Sequence, residues 1–93
     1  MAKNKEVDAL LDRHNELTHT NECKVESHVQ RRRGEWFINT LMIEGYDVPF
    51  RYKRKQQYRS LQGAKVNLTY YAARETVAGM HLEVMNVVRI KRS

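Results

Sequence analysis

The sequence predicts a mainly β protein, a five-stranded small barrel preceded by a short N-terminal α-helix. Its 93 residues are enough for one domain with a single hydrophobic core. In several segments after Lys24, apolar residues recur at every second position, which is the period of half-buried strands. Glycines separate these segments as turn residues do. We therefore expect an N-terminal helix and polar loop over residues 1–23 and a small β-barrel domain over residues 24–93.

The acidic first third of the chain carries the helix and a faint first strand. Residues Glu6 to Leu17 have the apolar spacing of one helical stripe, and Asn4 is a suitable N-cap. Thr18 to Glu22 is polar and is interpreted as a loop. A weak alternation over Lys24 to Gln30 predicts the first strand. The residues expected on one face of it are Val25, Ser27 and Val29.

The middle of the chain predicts a central strand followed by an edge strand. Glu35 to Glu44 is rich in β-formers at consecutive positions, which indicates burial on both faces. Glycine turns are expected before it, at Arg33-Gly34, and after it, at Glu44-Gly45. In the segment Val48 to Lys55, apolar residues alternate with cations. Pro49 cannot donate a ladder hydrogen bond, so we expect this strand to be irregular there or to lie at an edge.

The last third of the chain predicts a connector and two strands. Gln56 to Gln62 has no strand period and is interpreted as a helical turn that ends at Gly63. Lys65 to Ala72 alternates clearly, and Ala73 to Gly79 is expected to be a loop. In the final strand, one face is expected to hold Met80, Leu82, Val84, Val88 and Ile90, and the other Glu83, Met85, Val87, Arg89 and Lys91.

This element order, together with the segment Leu61-Gln-Gly63-Ala-Lys-Val66-Asn-Leu68, resembles the OB-fold. The resemblance extends from Lys24 to Arg92. It implies a ligand-binding face formed by the middle strands and the loops that flank them. An SH3-like barrel, or a sheet covered by the N-terminal helix, is the alternative architecture.

The charge of the chain predicts an anionic partner. The formal net charge is +6, but residues 1–30 have a net charge of −2 and the remainder has +8. A basic domain of this kind is typical of proteins that bind nucleic acid, a ribosome surface or lipid headgroups. We expect nucleic acid, RNA ahead of DNA, and no membrane.

The segment Arg51 to Arg59 has five cations, two tyrosines and no acid. Strand alternation predicts that Arg51, Lys53 and Lys55 form one outer stripe with a spacing of roughly 6 to 7 Å. Tyr58 and Tyr71 lie outside the apolar register, and such rings can stack on bases. The predicted nucleic-acid-binding residues are Arg31, Arg32, Arg33, Arg51, Lys53, Arg54, Lys55, Tyr58, Arg59 and Tyr71.

Each of these features also has a structural interpretation. A basic run can be a solvated face, and three successive arginines can be a charged hairpin turn. The tyrosines can pack at the rim of the core. A protein-interaction or homo-oligomeric module is therefore the alternative function. It is supported by the apolar outer face expected for Met85 and Val87 and by whichever of Trp36 and Phe37 points outward.

Neither catalysis nor a cofactor is predicted. The three serines have no nucleophile-elbow context, and the four glycines form no phosphate-binding loop. The series His14, His19, Cys23 and His28 lacks the closely paired ligands of structural zinc sites, so no metal is expected.

The sequence also predicts a cytoplasmic location. No apolar run approaches the roughly 20 residues of a membrane span, and no secretory signal is readable at the N-terminus. The single cysteine, Cys23, cannot form an internal disulfide, and a lone thiol is typical of a reducing compartment.

Overall fold

In the computed structural model, which describes residues 17–93, five strands form a closed barrel. The strands are β1 (Thr18–Arg33), β2 (Trp36–Ile43), β3 (Phe50–Arg54), β4 (Lys65–Val77) and β5 (Met80–Arg92). Their order around the barrel is β1-β2-β3-β5-β4. All neighbours are antiparallel except β3 and β5, which are parallel. The predicted mainly β, five-stranded barrel is confirmed, whereas the predicted N-terminal helix lies almost entirely outside the described residues.

Strand β1 closes the barrel because it pairs with β4 along its first part and with β2 along its second. Its register shifts twice, between Thr20 and Cys23 and between Val25 and Ser27. An extra residue in one strand bends it and increases its twist, which allows one strand to serve both sides of a small barrel. The strand begins at Thr18, so the loop predicted over Thr18 to Glu22 is wrong. This polar segment is a strand because it pairs with the apolar end of β4.

The second register shift also reverses the expected facing of β1. Val25 is fully buried, whereas Val29 is 45% exposed on the outside of the barrel. The prediction that these two valines share a face is wrong because Glu26 is an additional residue between the partners of Ile43 and Met42. From Ser27 onward, the odd-numbered residues of β1 therefore lie on the outer face.

The core consists of alternate residues from β1 to β4, and partly buried residues of β5 pack against it. Phe50 lies near its centre, where its ring meets those of Tyr46 and Tyr70 edge-on at centroid distances of 5.2 and 4.8 Å. Such edge-to-face pairs add to the hydrophobic gain of burial. The predicted inward positions in β3 and β4 are confirmed. The buried cluster is Cys23, Val25, Leu41, Ile43, Phe50, Tyr52, Val66, Leu68 and Tyr70.

Strand β2 is buried mainly on one face. Leu41 and Ile43 lie in the core, and Asn39 is buried on the same side. On the opposite face Ile38 is partly buried, and Trp36 at the start of the strand is 40% exposed. The expected burial on both faces is wrong because, within residues 17–93, no second layer covers the outer face of the sheet.

No helix forms in the connector between β3 and β4, so the predicted helical turn is wrong. The connector ends in a turn in which Gly63 has φ +84°, a conformation that favours glycine. Two hydrogen bonds attach this turn to β1: the Gly63 N–H donates to the Val25 carbonyl at 2.8 Å, and the Val25 N–H donates to the Ala64 carbonyl at 2.9 Å. Attachment to β1 replaces the internal hydrogen bonds of a helix.

Strands β4 and β5 form a long hairpin that extends beyond the barrel. Their pairing continues to Val77 and Met80, and the turn is formed by Ala78 and Gly79. The loop expected over Ala73 to Gly79 is therefore wrong. Beyond Tyr70, β4 pairs only with β5, so a polar sequence is compatible with a strand there.

A register shift in this hairpin corrects the predicted facing of β5. Thr69 pairs with Arg89, but Tyr70 pairs with Val87, which leaves Val88 as the additional residue. The side chains that pack against the core are Met85, Val87 and Ile90. The apolar outer face predicted for Met85 and Val87 is therefore wrong.

Candidate functional site

A groove of about 620 Å³ lies on the outer face of β1, β2 and β3, with the β4–β5 hairpin as its wall. Two rows of cross-strand partners build its floor. One row runs through Val29, Thr40, Arg51 and Asn86, and the other through Arg31, Ile38 and Lys53. The groove is lined by Val29, Arg31, Arg33, Ile38, Thr40, Arg51, Tyr52, Lys53, Glu75 and Asn86.

Four of the predicted binding residues meet in this groove: Arg31, Arg33, Arg51 and Lys53. The predicted alternation of β3 is confirmed, since Phe50 and Tyr52 are buried and Arg51 and Lys53 face outward. The arginines of β1 reach the same face because of the bulge near Glu26. The sequence predicted that Arg31, Arg32 and Arg33 all belong to the binding site, with a charged hairpin turn as the alternative, and did not separate their directions.

The groove is positively charged. Its lining has four cations and one acid, Glu75. Over residues 17–93, the ion pairs are Arg51 with Glu75 and Lys55 with Glu35. Arg31, Arg33 and Lys53 thus have no acidic partner in the described part of the chain, and their charge is available to an anionic ligand.

Arg51 connects the sheet to the hairpin. One of its terminal nitrogens, Nη1, donates to Oε1 of Glu75, and both side chains are about one third exposed. The Nε of Arg51 is buried and has no hydrogen-bond partner among residues 17–93. Because Glu75 belongs to β4, this ion pair holds the hairpin wall against the groove floor.

An exposed aromatic ring marks the end of the groove. Trp36 shares the outer face with Ile38, and Nζ of Lys55 lies 4.5 Å from the centre of its ring. Lys55 also lies 3.8 Å from Oε1 of Glu35. Sequence analysis did not include Trp36 in the binding site. The alternation of β2 could have identified it, because Trp36 is out of phase with buried Leu41 and Ile43.

Four predicted residues lie away from the groove. Arg32 and Arg54 are on the opposite face of the sheet, where both are cross-strand partners of Phe37. Tyr58 and Arg59 lie in the connector, and both are exposed. The side chain of Gln30 donates to the Tyr58 carbonyl at 2.6 Å and accepts from the Tyr58 N–H at 3.0 Å. Four of the ten predicted residues thus lie in the groove, and four lie away from it.

Tyr71, predicted to be an exposed stacking ring, is partly buried. It lies on β4 opposite Asn86, and Nδ2 of Asn86 donates to its hydroxyl at 3.3 Å. Since Asn86 lines the groove, Tyr71 supports one edge of the site.

His19, His28 and Cys23 have structural roles. His19 Nδ1 lies 2.7 Å from the Thr69 hydroxyl, and His28 bonds to Asn39 and to the connector. Burial raises the pKa of the Cys23 thiol, which disfavours the nucleophilic thiolate. Within residues 17–93, no three His, Cys, Asp or Glu side chains are grouped as metal ligands would be, and His14 is outside that range.

With this geometry established, the chain can be compared with known proteins. Neither protein-family models, nor curated proteins, nor solved structures give a match. Within the described residues, no helix has the length and apolar character of a membrane span. The function must therefore be argued from the groove and its charges.

Proposed function

We propose that this protein is a non-enzymatic nucleic-acid-binding domain that takes single-stranded RNA, or less favourably single-stranded DNA, into the groove. The observation that carries the proposal is the convergence of Arg31, Arg33, Arg51 and Lys53 on one groove with a net positive charge. Cations along a groove attract a nucleic-acid backbone, and their contacts release condensed counterions.

We further propose that the barrel is of the OB type rather than the SH3-like type. The strand order β1-β2-β3-β5-β4 and the parallel pairing of β3 with β5 support this assignment. OB domains bind oligonucleotides on the face of their middle strands, between the β1–β2 and β4–β5 loops. The groove occupies the equivalent position, although a shared fold alone does not establish a shared function.

The character of the lining favours an unpaired strand over a duplex. The floor contributes the apolar side chains of Val29 and Ile38, and Trp36 supplies an exposed ring at one end. Bases in a single strand can pack on such surfaces, whereas those in a duplex have no free faces. In this arrangement Arg31, Arg33 and Lys53 contact phosphates while bases lie towards the floor.

The proposal is tested by measuring the anisotropy of a labelled single-stranded RNA at increasing salt concentration. The groove variant is Arg31→Gln/Arg33→Gln/Lys53→Gln. We expect it to weaken binding about tenfold or more at low salt and to reduce the salt dependence of affinity, since about three phosphate contacts are lost.

A matched control removes the same charge at the other end of the strands. Lys65, Lys91 and Arg92 are exposed, and Lys65 pairs with Lys24 of β1. The Lys24 carbonyl accepts a hydrogen bond from the Glu44 N–H, which directly follows β2. These cations therefore lie at the end of β2 that is opposite Trp36. The Lys65→Gln/Lys91→Gln/Arg92→Gln variant should retain most of the affinity. Equal losses in the two variants, or no binding by the wild-type protein at low salt, would contradict the proposal.

A second candidate function is a protein-interaction or homo-oligomeric module. It is supported by the end of the β4–β5 hairpin, where Val77, Met80 and Leu82 are 50%, 63% and 43% exposed. Adjacent exposed apolar residues can form a contact surface. If this function applies, light scattering should detect a dimer that Met80→Ser/Leu82→Ser dissociates. A monomer at all concentrations would exclude self-association.

We also propose a cytoplasmic location. The support is the single cysteine of the sequence, which is buried and whose thiol donates a weak hydrogen bond to the Thr20 carbonyl at 3.5 Å. A reducing compartment preserves such a thiol.

A further inference from the structure

A second cationic surface lies on the face of the three-strand sheet opposite the groove, at the end of the barrel beyond the buried core residues Asn39 and Tyr52. We call it the rear face and define it by Arg32, Arg54, Tyr58 and Arg59. Arg32 and Arg59 are exposed, and Arg54 is partly exposed. Neither ion pair formed within residues 17–93 involves any of these three arginines. The rear face therefore has a charge of +3 without acidic partners in the described chain.

Aromatic side chains give the rear face a fixed geometry. The guanidinium of Arg54 lies 4.9 Å from the centre of the Tyr52 ring, and Phe37 separates Arg54 from Arg32 in the cross-strand row. A cation held over a ring is restricted in its motion and remains able to bind an anion. Tyr58 is 55% exposed, and its backbone is held by the side chain of Gln30.

The groove and the rear face meet at the same end of the sheet. Arg33 pairs with Trp36, and Lys55 lies over the Trp36 ring directly after Arg54. At this end of the sheet, Arg33 and Lys55 lie between the other cations of the groove and the rear-face residues Arg32 and Arg54. The exposed ring of Trp36 lies at the crossing point. Cations interleaved with rings are the features that bind single strands.

We propose that a nucleic-acid strand too long for the groove crosses this end of the sheet and binds the rear face with its next phosphates. The inference rests on the proposed function, because the groove holds the first part of the same strand. The rear face adds affinity only for strands that reach it. It thus defines the substrate class as extended single strands rather than short oligonucleotides.

The test compares oligouridylates of about 6 and about 20 nucleotides, which lie near the lower end of and above the usual site sizes of about 4–16 nucleotides for single-strand-binding barrels. The rear variant is Arg32→Gln/Arg54→Gln/Arg59→Gln. We expect it to bind the short strand within about twofold of the wild-type affinity and to bind the long strand about tenfold more weakly at low salt. A second variant, Arg32→Gln/Arg59→Gln, leaves the Arg54–Tyr52 contact intact and should show the same selectivity with a smaller loss.

The outcomes for the two surfaces are distinguishable. If the rear variants weaken both lengths equally, or neither, the inference is overturned even where the groove variant weakens both. If the groove variant leaves the binding of both lengths unchanged, the proposed function itself fails. Circular dichroism melting of the variants shows whether a loss of affinity reflects a loss of fold.

Discussion

Arg51 is the groove residue whose charge is partly neutralised within the protein. Its ion pair with Glu75 competes with any anion that enters the groove. With both side chains about one third exposed, solvent screening limits the contribution of the pair to stability to roughly 0.2–1 kcal/mol. Under the proposed function, Glu75 is therefore expected to affect ligand affinity and the position of the hairpin more than it affects folding.

Replacing Glu75 with Gln should strengthen nucleic-acid binding. The variant removes the acid of the groove, so we expect the affinity for single-stranded RNA at low salt to rise about two- to fivefold. The control is Glu83→Gln, which makes the same charge change on β5, out of phase with the groove residue Asn86. Anisotropy titrations compare the two variants. An equal gain in both would mean that net charge alone, and not the groove, sets the affinity.

Three buried acidic groups predict how stability depends on pH. Burial raises the pKa of the Cys23 thiol and of the Tyr52 and Tyr70 phenols. A raised pKa in the folded state means that the folded protein retains protons that the unfolded chain releases. Stability is therefore unaffected at neutral pH and is lost as pH rises above the pKa of the unfolded groups.

Urea denaturation at successive pH values measures this effect. We expect the free energy of unfolding to be constant between about pH 7 and pH 8 and to fall above that range as the unfolded thiol and then the unfolded phenols ionise. Cys23→Ala should remove the part of the decline that begins at the lower pH. An increase in stability between pH 8 and pH 10 would contradict the assignment of burial as the cause.

The connector between β3 and β4 depends on one histidine. The Leu61 N–H donates to Nδ1 of His28 at 2.9 Å, so the proton of the neutral ring lies on Nε2, which donates to Oδ1 of buried Asn39 at 2.7 Å. Asn39 in turn donates to the Phe37 carbonyl at 3.2 Å. This chain of hydrogen bonds satisfies the buried amide and holds the connector in place without a helix.

His28→Ala should loosen the connector and destabilise the barrel. Both hydrogen-bond partners lose their bond to the imidazole, which costs about 1–3 kcal/mol. Urea denaturation measures the loss of stability. Hydrogen exchange should show that His28→Ala accelerates exchange of the Leu61 amide more than exchange of the β2 amides. The control is His81→Ala, because His81 is exposed and contacts only Thr76 at 3.3 Å among its described hydrogen bonds. Unchanged exchange at Leu61 would refute the role given to His28.

Alternation predicted the directions of side chains only where a strand is regular. In β3 and the first half of β4 the period is uninterrupted, and the predicted core residues Phe50, Tyr52 and Val66 are buried. In β1 and β5 an additional residue reverses the alternation, and neither Glu26 nor Val88 has a side chain that marks a bulge. Two polar segments, Thr18 to Glu22 and Ala73 to Val77, were predicted to be loops. They are strands because of the strands that they pair with and not because of their composition.

The candidate site was predictable in part for the same reason. Arg51 and Lys53 could be assigned to one outer face because β3 is regular. The division of Arg31 to Arg33 between two faces depends on the bulge in β1, and the position of Glu75 depends on how the hairpin approaches the sheet. These are long-range features that no local pattern encodes.

At the scale of the whole barrel, replacing an aromatic residue of the core should destabilise the fold more than replacing one of the candidate site. Phe50→Ala removes a fully buried ring and should lower the free energy of unfolding by about 3–5 kcal/mol, a large fraction of the stability of a small domain. Trp36→Ala affects a ring that is 40% exposed and should cost less than half as much while weakening RNA binding. Urea denaturation and anisotropy measure the two effects, and equal destabilisation would contradict the assignment of Trp36 to the site.

The central claim is that one face of this barrel binds a nucleic-acid strand. Its most direct test is to record the backbone amide resonances of the full chain while a 10-nucleotide oligouridylate is added. The largest chemical-shift changes are expected at Arg31, Arg33, Ile38, Lys53 and Asn86, with small changes at Lys65 and Lys91 at the other end. Changes spread evenly over the surface, or confined to residues outside the groove, would contradict the account.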